Sequence, residues 1–99
     1  MQTKNLQQLM KQAQKMQEKL ESQMGDLRIE ASSGGGMVQV SMDGKKQLLS
    51  IAIEPESVDP DDLEMLQDLI LAAVNEAGRK VDAALSDHLG GMTQGLLSH

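Results

Sequence analysis

The chain contains no cysteine, phenylalanine, tyrosine or tryptophan. Without cysteine there are no disulfides, no thiolate nucleophile and no cysteine-ligated zinc. Without aromatic rings there is no stacking platform of the kind that single-stranded nucleic-acid modules use. The core must come from Leu, Ile, Val, Ala and eight Met. Such side chains are smaller or more flexible than rings, so a 99-residue monomer built from them is thinly stabilised, and association into a dimer is the simplest remedy. Long apolar runs are also missing. The longest, Leu69 to Val74, falls far short of the ~20 residues that span a bilayer. Met1 to Asn5 lead into polar helix with no apolar signal core, so a soluble cytoplasmic protein is expected, with no membrane partner.

Formal net charge is −6, but its distribution matters more than its sum. Residues 1–20 carry Lys4, Lys11, Lys15 and Lys19 against Glu18 alone, whereas Glu54 to Asp68 hold seven acids and no base. The molecule is electrostatically polarised, and an acidic total leaves room for a basic face.

Periodicity divides the chain into a helix, three strands and a second helix, an α+β domain over residues 1–90. Leu6, Leu9, Ala13, Met16, Leu20, Met24 and Leu27 recur at steps of three and four, one apolar face of a helix that stops at Gly25-Asp26. The four lysines keep the same period on the opposite side. Alternation then marks a strand at Leu27, Ile29 and Ala31, and a flexible connection at Ser32 to Gly36. A second strand follows at Val38, Val40 and Met42, and a third over Gln47 to Ile53. Asp43-Gly44 reads as a hairpin turn, because both residues tolerate positive φ, and this makes the sheet antiparallel. Asp59 fits the N-cap of the last helix, Pro60 its first position and Asp62 its first turn. That helix is expected to reach Leu89 and to end at Gly90-Gly91, leaving 91–99 as a flexible tail. Its stripe of Leu63, Leu66, Ile70, Ala73, Val74, Ala77, Val81, Ala84 and Leu85 is widened by Met65, Leu69 and Leu71, more apolar surface than one small sheet covers. Met10, Met16, Met24, Met42 and Met65 read as core filler.

No enzyme is expected. Gly34-Gly35-Gly36 lacks the trailing Gly-Lys-Ser/Thr of a phosphate-binding loop. Asp59, Asp61, Asp62 and Glu64 suit the start of a helix and lack calcium-loop spacing. His88 and His99 have no partner at ligand spacing, and no nucleophile–base–acid set is visible. No cofactor, metal or small-molecule substrate follows from the residues. The lysine row alone is open to two readings, a solvated helix face or a surface for a polyanion. Arg79-Lys80 is a smaller basic pair that suits either a partner's acids or phosphate, and Lys45-Lys46 fits an ordinary polar turn.

The ordered segments Leu9 to Lys19, Met37 to Val40 with Asp43-Gly44, Ile51 to Pro55, Glu64 to Ile70 and Ala77 to Val81 together resemble the YbaB/EbfC family of bacterial nucleoid-associated proteins. The likeness covers about residues 6–88. It implies a tweezer-like homodimer whose sheets and long second helices form the body, while the first helices and the ends of the second project around double-stranded DNA. It implies non-enzymatic binding on the nucleoid, in the bacterial cytoplasm, with limited sequence preference. On this resemblance Lys4, Lys11, Lys15, Lys19, Arg79 and Lys80 become the expected DNA contacts. The rival expectation is a protein-interaction module that docks its partner through the amphipathic helices. The chain departs from many relatives in lacking a proline-containing apolar tail, and in carrying Leu48-Leu49 where some have basic residues.

Overall fold

A computed structural model describes the backbone of residues 2–97 and the side chains of residues 5–87. The order is helix α1 (Gln2–Asp26), strands β1 (Ile29–Ser33), β2 (Val38–Met42) and β3 (Leu48–Ile53), then helix α2 (Leu63–Leu97). The strands form one antiparallel sheet in the order β1-β2-β3. Ala31 lies opposite Val40, and Val40 opposite Ile51, so these three share a face. A bulge at Ser41/Met42 sets Met42 against Leu48 and leaves Leu49 as the extra residue.

The core is one layer of sheet against one helix. Ala31, Val38, Val40 and Met42 are buried on the inner face, under Ala73, Ala77 and Val81 of α2. Those helix positions are four apart, so they stack along one line of the cylinder, and the alanines let the backbone come close to the sheet. The outer face carries Glu30, Ser32, Gln39, Ser41, Ser50 and Ala52, with the Ser41 and Ser50 hydroxyls 2.7 Å apart across β2 and β3.

Four expectations are corrected. The glycine run is a tight turn rather than a flexible link, with φ of 61°, 67° and 96° at Gly34, Gly35 and Gly36. Side chains rarely adopt such angles, and a Cβ on Gly34 would also press on the Leu69 methyls at 3.1 and 3.2 Å. The N-cap of α2 is Asp62, whose Oδ1 accepts from Met65 N–H at 3.2 Å. Asp59 instead closes the preceding turn, accepting from Asp61 N–H on Oδ1 and from Asp62 N–H on its carbonyl. Pro60 sits in that turn, where its fixed φ suits the second position. At the other end α2 runs through Gly90-Gly91 to Leu97. Each glycine costs a helix about 1 kcal/mol, which the cooperativity of a long preformed helix offsets. Finally, Met10, Met16 and Met65 are exposed, and among the described residues only Met37 and Met42 are buried.

Candidate nucleic-acid interface

The chain is 72 Å long and 27 Å by 17 Å across, because α1 leaves the sheet instead of folding onto it. Helix α1 joins the sheet at the end that holds the β2–β3 hairpin and the start of β1. It packs on neither the strands nor α2 along most of its length. Leu6, Leu9, Met10 and Met16 are each 58–64% exposed, and only Leu20, Met24 and Leu27, near the base, are half-buried. The apolar stripe read from the sequence is present, but its own chain does not cover it.

Lys11, Lys15 and Lys19 are exposed along this projecting helix, one turn apart, over about 12 Å at 1.5 Å per residue. Among the described residues none of the three is engaged in an ion pair or a side-chain hydrogen bond. Like charges at this spacing repel by a few tenths of a kcal/mol per pair, so the row does not stabilise its own helix. The Lys4 side chain lies outside the described residues, as do those of His88 and His99.

The structure does not bring Arg79 and Lys80 to that row, and both have intrachain partners. Arg79 donates from Nε and Nη2 to Glu76 Oε2, at 3.1 and 2.8 Å. Lys80 Nζ reaches past the sheet to the Glu30 carbonyl, at 2.8 Å. The other arginine, Arg28, donates from Nη1 to the carbonyls of Gly25 and Leu27, both at 2.9 Å. Lys46 forms an ion pair with Asp82 at 2.8 Å, tying the hairpin to α2. The acids from Glu54 to Asp68 gather at the far end, around the turn before α2 and its first turns.

Two further features were not legible as site elements. One is the inner face of β3, where Leu48, Leu49 and Ile51 are 42–44% exposed because α2 lies chiefly over β1 and β2. Leu63, Met65 and Leu71 of α2 add to that apolar surface. The bulge and the lateral placement of α2 are tertiary facts, and only the richness of β3 in Leu and Ile hinted at them. The other is an open hollow of about 340 Å³ on the outer face of the sheet, floored by Ser32, Gln39, Ser41, Ser50 and Ala52. It holds one acid, Glu30, and one base, Lys80, whose ammonium is already bonded to the Glu30 backbone. Among the described residues no three His, Cys, Asp or Glu side chains converge as a metal site, and no helix is long and apolar enough to cross a membrane.

Comparison with known proteins identifies the family and the fold. Residues 1–96 match the YbaB/EbfC DNA-binding family. A nucleoid-associated protein of Alkaliphilus metalliredigens is 50% identical over 95 residues, covering 93% of this chain and 83% of that protein. One from Ruminiclostridium cellulolyticum is 53% identical over 95 residues, with the same shares. One from Koribacter versatilis is 51% identical over 92 residues, covering 93% of this chain and 91% of its own. Among solved structures, that of an uncharacterized Helicobacter pylori protein superposes with a TM-score of 0.75 at 27% identity, over 89% of this chain and 92% of that one.

Proposed function

Because the chain belongs to the YbaB/EbfC DNA-binding family, we propose that a homodimer of it grips double-stranded DNA through the lysine row of each α1, chiefly at phosphates. Membership itself makes it a bacterial nucleoid-associated DNA-binding protein, in a family described by binding and not by catalysis. The single observation that carries the finer reading is the row Lys11, Lys15 and Lys19, without partners among the described residues, on a helix that stands clear of the body. Lys4 extends the row by sequence period.

Dimerisation is supported by the uncovered apolar surface of β3 and the first half of α2, which a second copy would bury. Two subunits double the phosphate contacts. Sequence discrimination is expected to be slight. Lysine is a point charge that positions a protein on phosphates, whereas arginine is the usual reader of guanine. The chain has only two arginines, and both already serve intrachain carbonyls or carboxylate. Arg79 and Lys80 would have to exchange those partners for phosphate, so they rank as secondary contacts. The site of action is the nucleoid, in the cytoplasm.

The test is titration of the purified protein with unrelated duplexes over a salt series. If each subunit neutralises three phosphates, log K falls against log salt with a slope near −5, from about −0.9 per phosphate. The double variant Lys11→Glu/Lys15→Glu should lose at least tenfold in affinity for every duplex and still sediment as a dimer. Arg79→Ala should change affinity no more than about twofold. Unchanged binding by the lysine variant refutes the assigned surface. The exposed Leu6, Leu9, Met10 and Met16 stripe favours the second reading, a protein-docking helix. Failure to bind any duplex at low salt would leave that reading standing.

A further inference from the structure

The β2–β3 connection does not use its glycine as hairpins usually do. Asp43 N–H donates to the Gln47 carbonyl and Lys46 N–H to the Asp43 carbonyl, so Gly44, Lys45 and Lys46 form a three-residue loop. The positive φ that this loop requires falls on Lys46, at 66°, while Gly44 is absent from the positive-φ residues. Turn geometry therefore leaves Gly44 free to be another residue. Its surroundings do not. A Cβ there would lie 2.5 Å from the Met24 carbonyl oxygen, 2.9 Å from Met24 Cα and 3.0 Å from its carbonyl carbon. All three are backbone atoms of the last turn of α1, which cannot swing aside as a side-chain end can. Gly44 N–H also donates to that Met24 oxygen at 2.8 Å, which fixes the approach.

The surrounding groups stiffen this joint. Asp43 is 5% exposed, and its Oδ1 accepts from Lys45 N–H at 2.8 Å and Gln47 N–H at 2.9 Å, holding the loop in shape. Arg28 Nη1 closes the carbonyls of Gly25 and Leu27 from the other side. Cationic groups suit the negative end of a helix, and Arg28 supplies one where α1 has no basic residue in its own last turn. Because α1 is unpacked beyond its base, this backbone-to-backbone seat sets the direction in which the lysine row leaves the body.

We propose that Gly44 is a positioning residue for DNA binding: lacking a side chain, it lets the hairpin seat on the last turn of α1 and fixes the angle of the lysine-bearing arm. This rests on the reading that those lysines contact DNA, and the experiment keeps the two separable. The chain has no native cysteine, so Gln14→Cys on the arm and Glu56→Cys on the body can be spin-labelled and diluted into unlabelled subunits. The parent should give one narrow distance distribution. Gly44→Ala should shift it by 5 Å or more, or broaden it by as much, and weaken duplex binding about tenfold, with sedimentation and helix content unchanged. Gly44→Ser should do the same, since either Cβ meets Met24. If both lose the fold, Arg28→Met is the second variant, expected to broaden the distribution and weaken binding two- to threefold. An unaltered distribution in the folded variants overturns the positioning role. A shifted arm with parental DNA affinity overturns its link to binding. If the lysine reading itself is wrong, Lys11→Glu/Lys15→Glu binds like the parent whatever Gly44 does.

Discussion

The two outer strands of the sheet have opposite fates. β1 carries only Ile29 and Ala31 as apolar residues, yet it is closed in: Ala31 is buried, Ser33 Oγ donates to the Leu69 carbonyl at 2.6 Å, and Lys80 bonds the Glu30 carbonyl. β3 is the most apolar strand, with Leu48, Leu49, Ile51 and Ile53, yet α2 packs chiefly on β1 and β2, and of these four only Ile53 is half-buried. Unpaired strand edges invite other chains, and proteins guard them with lysine or with a covering helix. Both devices are spent on β1. The asymmetry teaches that one edge is finished within the monomer, while the other stays open, as the proposed dimer requires.

Substitutions can break or sharpen this contrast. The largest effect is expected at the closed side. Ala31→Asp buries a carboxylate under α2 with no partner and should cost more than about 3 kcal/mol in urea unfolding, enough to unfold a small domain. The equivalent change on the open side should spare the fold. Ile51→Asp should leave helix content intact while the protein sediments as a monomer. Its salt slope for DNA should then halve to about −2.5, since one subunit offers half the phosphate contacts. An Ile51→Asp protein that remains dimeric would break the contrast and move the interface elsewhere. The smallest effect is Ser33→Ala, which removes the part-buried bond to α2 and should cost about 1 kcal/mol by the same unfolding measurement. Dimerisation should not respond to it.

Much of this architecture was readable from residue order because local periods and the fold agree. The alternation of Val38, Val40 and Met42 and the three-four spacing through α2 each name a face, and the structure uses those faces. The misreadings occur where two local motifs compete or where a long-range contact decides. Asp59 and Asp62 each look like a cap, and only continuation of the chain selects the second. Gly44 looked like a dihedral requirement, and its true neighbour, Met24, is twenty residues away in the chain. The candidate contact residues divide the same way. The lysine row needs only helical period to be seen, whereas the engagement of Arg79 by Glu76 and of Lys80 by β1 depends on rotamers and on how α2 crosses the sheet.

The separation of acid and base along a 72 Å body has a dynamic consequence. Salt screens the net charge of −6 beyond the Debye length, about 10 Å at 0.1 M ionic strength, so a polyanion meets the chain's charges one region at a time. If α1 carries the DNA contacts as proposed, the torque on so lopsided a body within that distance would turn its lysine-rich prow toward the duplex and its acidic stern away. Encounters in the wrong orientation would thereby be rejected before contact, and the bound molecule would stand with its aspartates facing outward.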